Sequence, residues 1–253
     1  MGRMTGKTTI ITGAAVGIGR EIAIAVGREN GQVVVNYSKS KKEAEETAAM
    51  VRDAGGTALA VQANVARDDQ ARSLIQQTLD WTGRVDVLIN NAGITARVPF
   101  ENLDALTDEV WNRLYDTNVK GTFFCCRAAV EPMRKQGVGR IINIGSVSGL
   151  RPAGSSIAYC ASKAALIHLS LCLAKTLGPE IRVNVIAPGF VDETRWNEGV
   201  ANLDSLRTSA ASLTPLKRVA LPSDIADTAL YLASGAEYTT GSVIVVDGGR
   251  QLV

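Results

Sequence analysis

The chain has 253 residues, 46% of them hydrophobic and 21% charged, with 24 Gly and 7 Pro; disorder requires low hydrophobicity and high net charge, so that class is excluded. Lys and Arg number 27 against 25 Asp and Glu, a net charge of +2, too small a surplus to point to nucleic acid or anionic lipid as the main partner. Aromatics at 5% leave little for a base-stacking surface. The stretch Ala164 to Ala174, between Lys163 and Lys175, is among the longest without charge and falls short of the roughly 18 residues a membrane span needs, so no membrane segment is expected. The N-terminal MGRMTGKTTIITG has no apolar core for a signal peptide, and Gly6 stands where a myristoylation signal needs Ser or Thr. Cys125, Cys126, Cys160 and Cys172 make neither a disulfide framework nor a metal-ligand spacing. Reduced thiols in a cytoplasmic protein, and no metal, are the expectation.

Short β-branched runs alternate with longer amphipathic stretches along the whole chain. Residues 8–11 read as a strand, 17–30 as a helix, 32–37 as a strand and 41–54 as a charged helix. Residues 57–61 follow as a strand, 68–81 as a helix and 85–89 as a strand. A long helical stretch over 107–135 leads to the strand 140–144, the helix 157–177 and the strand 182–186. A helix over 223–233 and a strand over 243–246 finish the chain. Val33-Val34-Val35 and Ile141-Ile142 are apolar on both faces, as parallel strands covered by helices on each side are. Sustained strand–helix alternation predicts a doubly wound parallel sheet in three α/β/α layers. One such sheet uses residues 1–253 as a single domain. The polar, mildly helical residues 190–216 lie between the last two strand–helix units and are expected to form a mobile lid over the substrate.

Gly2-Arg-Met-Thr-Gly6-Lys7-Thr8 imitates a phosphate-binding P-loop, but it has three residues between its glycines instead of four and precedes the first strand. The stronger signal follows that strand. Thr12-Gly13-Ala14-Ala15-Val16-Gly17-Ile18-Gly19 places three glycines within seven residues between a strand and a helix. Such a loop permits a tight turn and close approach to a pyrophosphate at the helix N-terminus, where free N–H groups and the helix dipole favour an anion. Tyr159 and Lys163 stand four apart in a helical stretch and so share one face. A neighbouring ammonium favours phenolate and pulls a phenol from its ordinary pKa of about 10 toward the working range. Ser146, just past a strand, can hold a substrate carbonyl oxygen.

With Asn90-Asn91-Ala92-Gly93, Asn118, Ser146, Tyr159-Cys160-Ala161-Ser162-Lys163 and Pro188-Gly189 in order along the chain, the sequence resembles the short-chain dehydrogenase/reductase family, most nearly its 3-oxoacyl-(acyl-carrier-protein) reductases. The resemblance implies a Rossmann-type fold and NAD(P)-dependent interconversion of a carbonyl and an alcohol, with 3-oxoacyl thioesters among the candidate substrates. It makes Asn118, Ser146, Tyr159 and Lys163 catalytic, Asn118 holding a water that links Lys163 to solvent. Lys163 also binds the nicotinamide ribose. Its cofactor-binding set is Gly13, Ala15, Val16, Gly17, Ile18, Gly19, Asn36, Tyr37, Ser38, Lys39, Asn64, Val65, Asn91, Ala92, Gly93, Tyr159, Lys163, Pro188, Gly189 and Val191. The second strand ends without Asp or Glu, and Lys39 is placed to meet a 2′-phosphate, so NADP(H) is expected over NAD(H). Asn64 would accept from the adenine amine.

The pattern departs from the family after Pro188-Gly189-Phe190-Val191-Asp192, where Glu193 intervenes and Thr194 comes one residue late; its contact with the nicotinamide carboxamide stays open. The lone His168 is expected to pack. Trp81 and Trp111 are too, and Trp196 either packs or lines the substrate pocket. The resemblance further implies a homotetramer built through the long helices and the C-terminal strand. Two rivals remain in view. A catalytically idle dinucleotide sensor or scaffold has no need of both Tyr159 and Lys163, and an epimerase or dehydratase of the extended family needs a larger substrate domain after Pro188.

Overall fold

A computed structural model describes residues 2–197 and 202–253. Seven strands, β1 (Thr8–Ile11), β2 (Gln32–Tyr37), β3 (Thr57–Gln62), β4 (Val87–Asn90), β5 (Gly139–Ile144), β6 (Ile181–Pro188) and β7 (Val243–Val246), form one sheet in the order β3-β2-β1-β4-β5-β6-β7. Every neighbouring pair is parallel. Side chains alternate across a strand, and the two layers of helix follow from that. Ile11, Val33, Val35, Ile89 and Ile142 point to one face, against α1 (Gly17–Arg28), α2 (Lys41–Asp53) and α8 (Pro222–Ser234). Ile10, Val34, Leu88 and Ile141 point to the other, against α3 (Asp68–Thr82), α5 (Thr122–Gln136) and α6 (Ile157–Leu177). The doubly wound fold read from the sequence is therefore the fold observed.

Strand β1 pairs with both β2 and β4, so the order reverses there. Loops on either side of this switch point splay apart at the carboxyl ends of the strands, and ligands of open α/β sheets bind in that crevice. The glycine loop, the Asn91–Gly93 loop, Ser146 and residues 188–197 all leave the sheet at this edge.

Four expectations need correction. Strand β4 begins at Val87, because Val85 and Asp86 lead into the sheet beneath it and Asp86 is spent on the Thr8 main-chain N–H, 2.8 Å away. The helix expected over 107–135 is interrupted: α4 (Asp108–Tyr115) and α5 are separated by a π-helical turn, Asp116–Gly121. The Asn118 side chain in this turn reaches across to bond both main-chain groups of Ile94, at 2.9 and 3.0 Å; such widened turns accompany functional sites. In keeping with its mildly helical pattern, the segment 190–216 contains a helix, α7 (Leu203–Leu213). Its Leu206, Ala210 and Leu213 lie three to four residues apart and face the large cavity; residues 198–201 lie outside the described residues. Finally, α6 has 21 residues and a mean hydropathy of 1.6, long and apolar enough by length and composition to cross a bilayer. Counting uncharged stretches hid this, because Lys163 interrupts them. In the fold Leu166, Ser170, Ala174 and Leu177 of α6 are buried. His168, expected to pack, is on the exposed face of that helix.

Helix α6 begins at a fully buried Ser156, whose Oγ accepts from the Tyr159 main-chain N–H at 3.2 Å. The cap thus fixes the turn that carries the tyrosine. Replacing an N-cap Ser with Ala costs about 1 kcal/mol. Ser156→Ala should lower the unfolding free energy by that amount, read as a lower urea midpoint at unchanged slope; an unshifted midpoint would contradict this role.

Candidate active site

The glycine loop is built for close backbone approach. Gly13 and Gly17 have φ of +62° and +58°, the left-handed region that side chains disfavour. A Cβ on Gly13 would lie 2.9 Å from Ala92 Cα, and one on Gly19 would lie 2.5 Å from Asn91 Nδ2. Three buried or half-buried polar side chains hold the loop. Thr12 Oγ1 accepts from the N–H groups of Asn91 and Ala92 at 3.0 Å. Asn91 Nδ2 donates to the Thr12 and Gly13 carbonyls, both at 3.0 Å. Asn36 Oδ1 accepts from Gly13 N–H at 3.3 Å while its Nδ2 donates to the Ala63 carbonyl at 3.0 Å. Helix α1 then starts from Val16 with no side-chain cap and no acidic residue in its first turn, so its positive end is uncompensated. Those features fit the pyrophosphate of a dinucleotide.

A cavity of about 980 Å³ runs from this loop across the sheet edge. Gly13, Val16, Gly17, Ile18, Asn36, Ser38, Asn64, Val65, Asn91, Ala92, Gly93, Ser146, Tyr159, Lys163, Pro188, Gly189 and Val191 all line it, so most of the predicted residues come together. Five do not reach its wall: Ala15, Gly19, Tyr37, Lys39 and Asn118. The Ala15 carbonyl is taken by Arg20 and Thr47 at 2.7 to 3.1 Å, and Tyr37 is buried in the core. Lys39 is exposed. Asn64 Oδ1 accepts from Ala66 N–H at 3.1 Å, which leaves one lone pair for an outside donor.

Tyr159 and Lys163 are both buried, as is Ser146. The Ser146 hydroxyl accepts from Ser148 N–H at 3.1 Å and is near enough to the Tyr159 phenol to favour its ionised form. Lys163 Nζ lies 6.0 Å from the Tyr159 ring centroid and donates to the Ile144 carbonyl at 2.8 Å. Gly93 faces this group: a Cβ there would be 3.4 Å from Asn118 Oδ1 and 3.6 Å from Lys163 Nζ. Asn118 also donates to Ser162 Oγ at 3.1 Å, so Ser162, between the tyrosine and the lysine, ties the π-helical turn to α6.

Burial acts in opposite directions on the two titrating groups. It pushes the Tyr159 phenol well above its ordinary value, and the Ser146 hydroxyl pulls it back only in part. Burial also pulls the Lys163 ammonium down, to about 8. The expected lowering of the phenol by Lys163 is thus outweighed by desolvation. The same burial pushes the Cys126 thiol up to about 12; all four cysteines are free thiols. Among the described residues no cluster of His, Cys, Asp and Glu could hold a metal ion.

The segment after β6 supplies residues that sequence reasoning missed or left open. Glu193 adopts a left-handed φ of +52° and so absorbs the extra residue. Thr194 is brought against Gly17, where a Cβ would lie 3.5 Å from Thr194 Cγ2, at the phosphate-binding end of the loop. Arg195 bonds Ser40 Oγ at 2.6 Å and pairs with Glu43 at the start of α2. Trp196 packs edge-on against Tyr159, centroids 5.3 Å apart, and its carbonyl accepts from Arg97. Thr12 and Ser162 carried readable signals, one closing a strand before a glycine loop and the other inside the Tyr-x3-Lys run; Arg97 carried none.

A lysine whose pKa falls from 10.5 unfolded to about 8 folded stays charged in the unfolded chain and neutral in the native one between those limits. The unfolded state then binds more protons, so this group adds stability as pH rises from 8 to 10.5 and opposes folding in full below 8. The unfolding free energy of the wild type minus that of Lys163→Met should therefore rise across that window in urea titrations. A flat difference would refute the buried charge.

Comparison with known proteins agrees with this geometry. The family model described as Enoyl-(Acyl carrier protein) reductase matches residues 13–251. The chain is 39% identical over 249 residues to the 3-oxoacyl-[acyl-carrier-protein] reductase FabG of Staphylococcus epidermidis, covering 97% of this chain and 99% of that one. It is 38% identical over 249 residues to the protein of the same name from Staphylococcus aureus, covering 97% and 98%. A crystal structure of a short-chain type dehydrogenase/reductase from Mycobacterium marinum superposes with a TM-score of 0.90 at 34% identity, over 99% of this chain and 97% of that one. With the fold, the glycine loop and the Tyr-x3-Lys helix in place, this chain belongs to the short-chain dehydrogenase/reductase family and is an oxidoreductase that uses a nicotinamide dinucleotide.

Proposed function

We propose that the chain reduces a carbonyl to an alcohol, or runs the reverse reaction, with Ser146, Tyr159, Lys163 and Asn118 as its catalytic group and 3-oxoacyl thioesters as the first substrates to try. The observation that carries this reading is that the buried Ser146, Tyr159 and Lys163 line one cavity with the glycine loop and the uncapped α1 N-terminus. The nicotinamide, when bound, supplies the hydride for reduction and accepts it in oxidation. Tyr159 gives its proton to the carbonyl oxygen as negative charge develops there. A phenol that burial keeps protonated at neutral pH suits that donor role and favours the reductive direction. Ser146 holds the same oxygen. Lys163 has spent one of its three donors on Ile144, and the others serve the nicotinamide ribose. Asn118, locked onto Ile94 and Ser162, fixes the π-helical turn whose main chain would hold the relay water. Family membership supports this enzyme over the idle sensor or scaffold.

The reading extends to the whole chain as a single catalytic domain, with residues 190–216 as its lid. Support comes from the contacts of Thr194, Arg195 and Trp196 along the cavity. A cytoplasmic homotetramer is also proposed; β7 has only β6 as a neighbour, which leaves a sheet edge open to a second copy. For the cofactor we propose NADP(H) over NAD(H). Strand β2 runs into Ser38 and Lys39 with no carboxylate to repel a 2′-phosphate, and Ser38 lines the cavity.

Two measurements test these assignments. Tyr159→Phe removes the proton donor and keeps the ring on Trp196, so kcat with a 3-oxoacyl thioester should fall by at least about 10² while NADPH still quenches tryptophan fluorescence at an unchanged midpoint. Near-normal turnover would refute the mechanism. Lys39→Glu should shift the ratio of KM values toward NADH; a wild type whose KM for NADH equals or undercuts that for NADPH would overturn the cofactor preference.

A further inference from the structure

The cavity continues past Tyr159 into a substrate half whose walls carry Arg97, Arg151, Arg218 and Arg250, of which Arg218 pairs with Asp224 and Arg250 donates to the Val253 oxygen at 3.3 Å. Arg151 lies two residues beyond the short turn Val147–Gly149 and lines the cavity. Its Nη1 donates to the Arg250 carbonyl at 3.1 Å, and its Nε is buried with no acceptor. Arg97 lines the same cavity and is held by the carbonyl of Trp196, the residue whose ring rests on Tyr159. Both positions are thereby tied to the reacting end. Among the described residues neither guanidinium pairs with a carboxylate. Of the acidic residues lining the cavity, Asp224 pairs with Arg218, Asp247 accepts from Gly249 and Gln251 N–H, and Asp227 is exposed on α8.

Arg97 is exposed, whereas Arg151 is half-buried with its Nε shut off from water and from any acceptor, so part of the Arg151 desolvation cost is met by no counter-charge. An anion in the cavity supplies that charge. A carboxylate matches the planar N–H fork of Arg with two charge-assisted hydrogen bonds. We propose that Arg151, seconded by Arg97, is a carboxylate-recognition subsite, and that the substrate is an oxo acid whose carboxylate sits there while its carbonyl lies at Ser146 and Tyr159. This rests on the carbonyl-reductase reading above. The carboxylate passes through the reaction unchanged and serves only to orient the ketone.

The test uses two matched pairs, 4-oxopentanoate and 6-oxoheptanoate with their methyl esters, followed by NADPH oxidation and by calorimetric binding to the full-length protein with NADP⁺. The acid of at least one pair should exceed its ester tenfold in kcat/KM, chiefly through KM, and should bind more tightly by calorimetry. Arg151→Gln should cut that acid-to-ester ratio at least tenfold, and Arg97→Gln should cut it less. Equal handling of acid and ester in both pairs overturns the proposal. So does an Arg151→Gln variant that loses both in the same proportion, since the arginine would then only anchor the turn at Arg250. A preference for 3-oxobutanoyl pantetheine 4′-phosphate over its dephosphorylated form, with acids and esters alike, assigns the arginines to a phosphate and overturns the carboxylate. Should no ketone be turned over, acid or ester, the carbonyl-reductase reading fails, and the calorimetric difference between acid and ester still decides the subsite.

Discussion

Everything at the functional edge depends on holding a glycine loop still in a conformation that side chains would resist. The loop needs left-handed backbone at Gly13 and Gly17, and glycine supplies it at the cost of chain entropy. Thr12 at its start, and Asn36 and Asn91 from outside it, spend their polar atoms on main-chain groups in or beside the loop. Two of them stand on β2 and just beyond β4, the strands that flank β1 at the switch point. The order of the sheet therefore decides whether the loop can be clamped, and the clamp decides whether the N–H groups of α1 face an anion.

The buried cluster of Ser146, Tyr159 and Lys163 follows a different logic. Tyr159 and Lys163 sit in a helix apolar enough to be taken for a membrane span, and the fold buries both. Burial raises the one and lowers the other, so each is pushed toward its neutral form. Removing a charge from water without full repayment is a cost the protein bears for function, as strained or desolvated active-site groups commonly show. The surroundings limit that cost. Ser156 caps the helix at the tyrosine, Ile144 accepts from the lysine, and Ser162 Oγ donates to the Tyr159 carbonyl while accepting from Asn118.

The segment after β6 connects the two ends of the cavity. Over four consecutive residues it meets the glycine loop at Thr194, the start of α2 at Arg195 and the catalytic tyrosine at Trp196, then turns back through Asn197 to the Val191 carbonyl. Most of its contacts are side chains reaching to other elements rather than main-chain ladders, and α7 buries none of its residues. Such a segment is held less firmly than the sheet beneath it. Its apolar stripe faces the substrate half of the cavity, while the remaining walls come from the loops that carry Arg97 and Arg151.

Much of this was legible in the residues themselves. Runs apolar on both faces announced parallel strands, glycine spacing announced the phosphate loop, and a four-residue interval put Tyr159 and Lys163 on one face, because these are consequences of local geometry with periods of 2 and 3.6. The strands 8–11, 32–37 and 243–246 and the helix 157–177 coincide with the observed elements. Other features depend on partners far away in the chain. The π-helical turn exists because Asn118 finds Ile94, 24 residues earlier. Asn36 lines the cavity and also clamps the glycine loop, its amide bonded to Gly13 and Ala63. The ionisation of Tyr159 was misjudged from the sequence, because the interval to Lys163 shows proximity but not the dielectric around it. Composition and spacing determined the class of fold and the residue types of the chemistry. Only the tertiary structure decided which polar atoms are consumed by the scaffold and which are left for a ligand, because desolvation and hydrogen-bond satisfaction are properties of three-dimensional surroundings.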